Sequence, residues 1–337
     1  MKKIIPIFIL LIGFSCSDES IHKEEDNLSQ DLVTLSFNSS EEMSSYVLKA
    51  KSGANPTGRE ASSSKFQSLE DIYRNVLESL SVAETHEEIA SLLKTYEDVI
   101  ELSDSTFLPK LQSEFYRIIC NREGIYESEG FAHKVMDNQF IIVTKKENLK
   151  ALRKIKSIDN LDQSLFNLIE YRGNGFKNES INGRTLSDAC SNNMEYSYYY
   201  DPSGCKNDRK VYIAAGTEWR ISGNNYTPWL ASRTWGRRRA GTLCYWYGYD
   251  TILNFRGAYF DVKIVINGIT RHFITSIDDY YGTAEEREKQ IWDDFLTGPI
   301  TWQGGTPPAI SFTRAFVEAS SRGTNNNWVS VDCIGPQ

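Results

Sequence analysis

The sequence predicts an α+β protein: an α-rich front half containing a small β-hairpin or sheet, then an antiparallel, β-sandwich-like back half. Three observations favour this class. Apolar residues recur at helical spacing between Leu69 and Ile100. Alternating apolar residues flank Asn267-Gly268, the pair that best tolerates positive φ at both central positions of a type I′ hairpin turn. All seven tryptophans lie in the second half, from Trp219 to Trp328.

The first sixteen residues have the order of a secretory signal. Lys2-Lys3 precedes an apolar run, Ile4 to Ile12, that is too short to span a bilayer, and the small residue Ser15 stands directly before Cys16. This order resembles that of bacterial lipoproteins, which implies removal of residues 1–15 and acylation of Cys16. Several acyl chains, at about 0.8 kcal/mol per buried CH₂, would make the anchor effectively permanent. The alternative is an ordinary secretory cut that leaves Cys16 as a spare thiol.

Residues 16–31 are polar and charged, and we expect them to form a flexible tether. Within them, Ser17-Asp18-Glu19 resembles the acidic tag that directs some Bacteroides-type lipoproteins to the cell surface. The expected location is therefore the cell envelope, in the outer membrane, and the tag favours its outer surface.

Folding is expected to start at Leu32, with a short strand to Phe37. Asn38-Ser39-Ser40 then supplies an N-cap, and Glu41-Glu42 supplies first-turn acids, for a helix that runs to about Lys51. Two further helices each begin with a capping-box pattern: Ser68 with Asp71, and Thr85 with Glu88.

A turn at Asn121–Gly124 interrupts the helical pattern. Short strands are predicted at Phe131–Val135 and Phe140–Thr144, followed by a helix whose apolar face is formed by Leu149, Leu152, Ile155 and Ile158. Polar and glycine-rich residues then predict a domain junction at 173–189, which separates an α-rich module, 32–172, from a β-rich module, 190–337.

Three stretches of the front half carry a resemblance to a known group: Leu35-Ser36-Phe37 with Glu41-Glu42-Met43, Phe66 to Tyr73, and Asn121-Arg122-Glu123-Gly124. They resemble uncharacterised Bacteroides-type lipoproteins, a domain of unknown function with a helical front half and a β-rich, cysteine-containing back half. The resemblance implies the envelope address and the two-part organisation. It implies no catalytic residue.

The charge distribution argues against nucleic acid as a partner. The chain carries 37 basic and 45 acidic residues, a net charge of −8, and residues 191–337 are neutral overall. Proteins that neutralise phosphates need a basic surplus on one face. The one basic cluster, Arg233 with Arg237-Arg238-Arg239, is interpreted as a solvated loop or strand edge, or alternatively as an anion or glycan contact.

Five cysteines follow Cys16. Cys120 lies in an apolar run, where a buried free thiol is the ordinary outcome. The remaining four, which allow three pairings, are disulfide candidates, and the simplest pairing joins neighbours in sequence: Cys190 with Cys205 and Cys244 with Cys333. Zinc binding is the competing interpretation, but these cysteines form no C-x₂-C pair and no histidine is close in sequence. We expect no metal and no cofactor.

The Asn267-Gly268 hairpin predicts its own register. Val262 should face Phe273 on the apolar side, and Lys263 should face His272 on the other side, which favours a solvated side chain for His272 over a catalytic base. Arg271 would then lie opposite Ile264 on the apolar face, which suggests that a bulge shifts the register. Downstream, apolar spacing predicts a helix from Ala284 to Phe295.

Tyrosines at alternate positions are the main candidates for a binding surface. On strands, such rings lie roughly 6 to 7 Å apart and form a flat strip suited to a sugar or a partner protein. Ordinary packing in a sheet is the alternative. The candidate binding residues are Trp229, Trp235, Tyr245, Tyr247, Tyr249, Tyr196, Tyr198 and Tyr200.

The sequence contains no recognisable catalytic motif. There is no G-x-S-x-G, no H-E-x-x-H and no phosphate-binding glycine loop, and the four histidines form no ligand pair. Carboxylates from distant segments could still converge, with Glu218, Asp261 and Asp279 as the ones to follow.

We therefore expect an envelope protein that reaches the membrane through its lipid anchor and works as a non-catalytic glycan- or protein-binding module. The alternatives are an envelope or polysaccharide hydrolase and a structural envelope component.

Overall fold

The structure is a computed structural model. It describes residues 32–52, 66–103, 105–136, 139–159, 161–172, 190–197, 208–240, 243–248, 253–282, 286–290, 298–303, 306–321 and 327–334. The segments predicted as signal peptide, lipidated Cys16, tether and linker lie outside these residues. The chain divides into two compact units, Met1–Leu32 and Val33–Gln337, and all helices and strands given below belong to the second.

The fold is mixed α+β, as predicted. The helices of the described residues are α1 Ser40–Lys51, α2 Leu69–Val82, α3 His86–Thr95, α4 Glu114–Ile119 and α5 Leu149–Arg153, with a 3₁₀ turn at Lys146–Asn148. The predicted caps are confirmed. Ser39 caps α1, and full capping boxes start α2 at Ser68 and α3 at Thr85, so local sequence determines where these helices begin.

The strands fall into three sheets. Their bounds are β1 Ser36–Phe37, β2 Ile100–Ser103, β3 Thr106–Pro109, β4 Ile125–Ser128, β5 Phe131–Val135, β6 Phe140–Lys145, β7 Asn167–Glu170, β8 Ser191–Ser197, β9 Asp208–Ser222, β10 Asn225–Ala240, β11 Tyr245–Gly248, β12 Leu253–Ile266, β13 Ile269–Ile277, β14 Tyr280–Gly282, β15 Glu286–Gln290, β16 Ile300–Thr301, β17 Ala309–Ser321 and β18 Val329–Ile334.

The first sheet has the order β1-β4-β5-β6-β7, and the third has the order β13-β12-β17-β18, with β14 also paired to β12. The second has the order β2-β3-β11-β10-β9-β8, with β15 and β16 also paired to β10. Among the described strands, the pairs β1–β4 and β3–β11 are parallel and the other pairs are antiparallel.

Elements from both halves of the chain share one sheet and one core. β3 pairs with β11 in the second sheet. The main apolar cluster runs from Phe37 through Trp219 to Val331, and the Tyr116 hydroxyl donates to the Trp219 carbonyl oxygen at 2.8 Å. The division into modules 32–172 and 190–337 stays a prediction, but the described residues of the two ranges pack together.

The hairpin at Asn267-Gly268 is confirmed, with φ of 50° and 77°. Val262 pairs with Phe273 and Lys263 with His272, as predicted. The bulge suggested for this hairpin is wrong, because Ile264 still pairs with Arg271, whose side chain is exposed. The irregularities occur on the other edge of β12, where it pairs with β17.

The helix predicted at Ala284–Phe295 is wrong over its described part. Residues 286–290 form β15, which pairs with β10 from Trp229 to Arg233. Helical spacing in this segment is overridden by hydrogen bonding to a long neighbouring strand. The helix predicted over 149–158 ends at Arg153, while Ile155 and Ile158 still pack against Leu152 from an irregular segment.

The cysteine pairing predicted from sequence neighbours is also wrong. Cys190 bonds Cys333, with a Cα–Cα distance of 5.6 Å, so the bridge joins the start of β8 to β18. These strands are the edges of two different sheets, and they meet in space although 143 residues separate the cysteines. Cys244 is also disulfide-bonded, and Cys120 is a buried free thiol as predicted.

Candidate functional site

Of the predicted strip, Tyr247 is buried and Tyr245 is half-buried. Tyr245 and Tyr247 share one face of β11, as predicted, and both rings contact Phe107, with centroid distances of 5.2 and 5.0 Å. Tyr247 is only 4% exposed, and its hydroxyl donates to the carbonyl oxygen of Leu80 at 3.0 Å. Tyr247 is therefore wrong as a surface binding residue, because α2 covers this face.

Trp229 also serves packing. Its half-buried ring stacks on the guanidinium of Arg220, and Phe115 covers the other side of that guanidinium. The remaining candidates, with the arginine cluster of β10, have side chains outside the described residues: Trp235, Tyr249, Tyr196, Tyr198, Tyr200, Arg233, Arg237, Arg238 and Arg239.

The three candidate carboxylates do not meet in an open site. Glu218 is fully buried, where it accepts a hydrogen bond from Ser113 Oγ at 3.2 Å and lies 3.7 Å from Arg220 Nε. Asp261 lies on the outward face of β12, and Asp279 is exposed between β13 and β14. Within the described ranges, no group of three His, Cys, Asp or Glu residues is placed to hold a metal ion.

His133 and His272 likewise form no catalytic arrangement among the described residues. His133 is buried and stacks on Tyr126 at 4.5 Å, and burial lowers the pKa of its imidazole to about 4. His272 is exposed, as predicted, with Nδ1 3.9 Å from Asp261 Oδ1. Neither histidine lies beside a nucleophile in the described part of the chain.

The best candidate site is an open cleft of about 470 Å³ where the first sheet meets the β9–β10 turn. Its lining combines two aromatic rings, five side-chain amides, two hydroxyls, one acid and one base. The residues are Phe131, Thr144, Lys145, Glu147, Asn148, Gln163, Ser164, Leu165, Asn167, Asn224, Trp302 and Gln303.

Two glycine-containing turns adjoin the cleft, next to Phe131 and Asn224 of its lining. The β4–β5 turn has Glu129 and Gly130 at φ 51° and 81°, and the β9–β10 turn has Gly223 at φ 57°. A side chain at Gly223 would place its Cβ 2.9 Å from Glu129 Cβ, so glycine permits the close approach of the two turns.

Hydrogen bonds join these two turns. Glu129 accepts from Ser222 Oγ and from Asn225 Nδ2, both at 2.7 Å, and Ser128 Oγ accepts from the backbone N–H of Gly223 at 2.8 Å. Charge-assisted bonds of this kind are among the stronger ones in proteins. These hydrogen bonds hold the β4–β5 turn of the first sheet against the β9–β10 turn of the second sheet beside the cleft.

The β9–β10 turn also fixes the position of Trp302. Its backbone N–H donates to the carbonyl oxygen of Asn224 at 2.9 Å, directly after β16 pairs with β10. Its ring packs edge-on against Tyr226, with centroids 6.4 Å apart, while remaining partly exposed. The buried cluster beneath therefore fixes the indole, and one part of it faces the solvent.

The lining also carries amide side chains that are available to a ligand. Thr144 Oγ1 donates to the carbonyl oxygen of Leu165 at 2.7 Å and accepts from Asn148 Nδ2 at 3.0 Å. The side chains of Gln163, Asn167 and Gln303 are exposed, and within the described residues they make no hydrogen bond. Their donors and acceptors are thus available to a ligand.

Sequence reasoning missed this cleft because its lining comes from separate segments of the chain. All seven tryptophans lie in the second half, and the sequence does not distinguish Trp302 from the others. The only local signal was the pair of turn sequences, Glu129-Gly130 and Gly223-Asn224, and nothing in either turn indicates that the two approach each other.

Comparisons of the chain with protein-family models, with curated proteins and with solved structures each found no match. The longest helix of the described residues has 14 residues, and no described helix is long and apolar enough to cross a membrane.

Proposed function

We propose that this chain is a lipid-anchored cell-envelope protein whose cleft between Phe131 and Trp302 binds an uncharged glycan. The observation that carries the proposal is the lining, which brings two partly exposed aromatic rings and amides with unused hydrogen-bonding groups into one cleft. Binding sites typically combine apolar surface with a few convergent polar groups.

The chemistry of a sugar matches this combination. A pyranose ring has a face of C–H groups, which packs on an aromatic ring, and hydroxyls that both donate and accept. Amide side chains also donate and accept, so Gln163, Asn167 and Gln303 suit hydroxyl groups. Lys145 and Glu147 contribute opposite charges, so the lining has no net charge to select an ionic ligand.

A binding role is favoured over hydrolysis. Most glycoside hydrolases use a pair of carboxylates that flank the scissile bond. Among the described residues that line the cleft, Glu147 is the only carboxylate, and its side chain is exposed. Nothing in the lining supplies the second acid that the usual mechanism needs.

The proposed cellular location rests on the sequence. Lys2-Lys3, the apolar run and Cys16 support a lipoprotein signal, and Ser17-Asp18-Glu19 supports an outer-membrane surface location. We propose that the chain belongs with the Bacteroides-type lipoproteins that its front half resembles.

The proposed architecture keeps a β-sandwich-like back half. In support, β17 and β18 of the third sheet pack against β9 of the second. The Cys190–Cys333 bridge joins the same two sheets at one edge. Such packing would give the cleft a rigid base on β9 and β10.

The test is binding of the purified full chain to a panel of neutral oligosaccharides, in a detergent without a sugar headgroup. Calorimetry should find at least one ligand, and Trp302→Ala should weaken it about tenfold through loss of aromatic contact. Trp328→Ala is the matched control, because Trp328 stacks on Arg256 in the third sheet. Equal affinity in the Trp302→Ala and wild-type chains, or no ligand in the panel, would contradict the proposal.

A further inference from the structure

The third sheet has an outward face that carries exposed apolar side chains. Phe260, Val262 and Ile264 of β12 point into the core, so the alternate residues Tyr259 and Asp261 point outward. The edge strands expose Ile274 of β13, at 73%, and Ile334 of β18, at 76%. We call the side of β13-β12-β17-β18 that bears these residues the outer face.

The strand register arranges the outer face in rows. One row crosses all four strands as Ile274, Asp261, Arg314 and Ile334. The adjacent row reads Ser276, Tyr259, Phe316 and Asp332. A third, shorter row pairs Arg256 with Glu318.

Each of these three rows is matched about its midpoint between β12 and β17, whereas the next row, Lys263 beside Ser311, is not. The first row has isoleucine at both ends and an acid beside a base in the centre. The second has two aromatic rings in the centre and polar groups at the ends, and the third has a base beside an acid. Such a pattern is complementary to itself when it is turned over.

From this self-complementarity we infer that the outer face docks a second copy of the chain. The two-fold axis runs parallel to the strands, above the gap between β12 and β17. This rotation sets the β12 and β13 residues of one copy against the β17 and β18 residues of the same row in the other copy. The facing pairs are Asp261 with Arg314, Tyr259 with Phe316, Ile274 with Ile334 and Arg256 with Glu318. An interface that uses the same patch on both subunits is the commonest arrangement in homo-oligomers.

Sheet geometry accommodates this contact. Face-to-face sheets pack about 10 Å apart with strands within roughly 30° of alignment, which an axis along the strands produces. The two-fold places opposite charges together in two of the rows and like charges in none. Arg314 is already held by Asp332, with Nε and Nη2 at 3.0 and 2.8 Å from its carboxylate oxygens, so its guanidinium loses little freedom on docking.

The test exchanges charges across the proposed interface. Light scattering on the full chain, with the detergent contribution subtracted, should show a concentration-dependent dimer. Asp261→Arg alone should weaken dimerisation at least about tenfold, because it sets two bases against each other, and Arg314→Asp alone should do so by setting two acids together. An equimolar mixture of the two variant chains should associate again, since each supplies the charge that the other lacks.

The mixture separates docking from folding, because loss of structure in one variant is not restored by another chain. Ile274→Lys is a further variant that should also prevent dimerisation, and Val82→Lys, at an exposed position on α2, is its matched control. A monomeric wild-type chain at every concentration would overturn the inference, as would single variants that still dimerise or a mixture that stays monomeric. A monomer that loses glycan binding on Tyr259→Ala would assign the face to a ligand instead.

Discussion

The guanidinium of Arg220 lies 3.6 Å from the ring centroid of Trp229 and 4.1 Å from that of Phe115, so it is stacked between a ring of β10 and a ring of α4. Its Nε also lies 3.7 Å from the buried carboxylate of Glu218. One arginine thus provides both a cation for an internal acid and a flat contact for two aromatic rings.

Replacing this arginine should destabilise the protein strongly. Arg220→Ala leaves Glu218 without this cation in a buried site, and we expect a loss of about 3 to 5 kcal/mol in the free energy of unfolding. Denaturant titration measures the loss. Arg220→Lys keeps the charge without the planar stack and should recover only part of the stability. A change below about 1 kcal/mol for Arg220→Ala would contradict this account.

His133 should make stability depend on pH in the acidic range. Burial lowers the pKa of the folded imidazole to about 4 from an ordinary 6.5, so between these values the unfolded chain binds more protons. Stability should therefore rise with pH from about 4 to 6.5, by up to about 3 kcal/mol from this group.

His133→Phe retains a ring on Tyr126 and removes the titration. We expect denaturation curves measured at several pH values to lose most of the slope between pH 4 and 6.5. His272→Phe, at an exposed histidine, is the control and should keep the slope. An unchanged slope in the His133→Phe chain would show that other groups produce it.

The parts of the fold that sequence predicted are those set by short-range chemistry. The capping boxes at Ser68 and Thr85 and the Asn267-Gly268 turn each depend on neighbouring residues, and each was confirmed. Residues 286–290 became a strand because β10 offers an unpaired edge, which is information from another part of the chain.

The candidate site needed the same long-range information. Tyr247 has the spacing of an exposed strip, but α2 covers it, and no pattern within β11 reveals that cover. The cleft exists because Glu129 reaches the β9–β10 turn, which is 93 positions away at Ser222. Pairing of distant turns and of distant cysteines depends on how the sheets pack.

The disulfide between Cys190 and Cys333 should be detectable in peptides of the unreduced protein. Non-reducing digestion and mass spectrometry should find a peptide that joins these two cysteines, and none that joins Cys190 to Cys205. The double variant Cys190→Ser with Cys333→Ser should have a free energy of unfolding about 2 to 5 kcal/mol lower, because the disulfide no longer closes a long loop in the unfolded chain. Cys120→Ser, at the buried free thiol, controls for loss of a sulfur atom.

The contact between the β4–β5 and β9–β10 turns should control the affinity of the cleft for its ligand. Glu129→Ala removes both acceptor bonds to Ser222 and Asn225, so the β9–β10 turn and Trp302 lose their fixed position. We expect glycan affinity to fall several-fold while the chain remains folded, with stability lowered by about 1 to 3 kcal/mol. Glu147→Ala probes direct contact instead, because this exposed side chain belongs to the lining and makes no hydrogen bond or ion pair within the part of the chain that the structure describes. Unchanged affinity in the Glu129→Ala chain would show that the turns do not position the site.

The lipid anchor is tested through Cys16. In cells expressing the full chain, Cys16→Ala should block acylation and the cut before it, so a radioactive fatty acid should label the wild-type protein and not the variant. Several acyl chains bind a bilayer in an effectively irreversible way, so the wild-type protein should stay with membranes through washes with high salt, which release proteins held by charge. Ser17→Ala is the matched control, because it changes the neighbouring residue and keeps the thiol. A wild-type chain that takes up no label and is released from the membranes would assign the leading segment to an ordinary secretory cut, and equal labelling of both chains would place the acyl group at another residue.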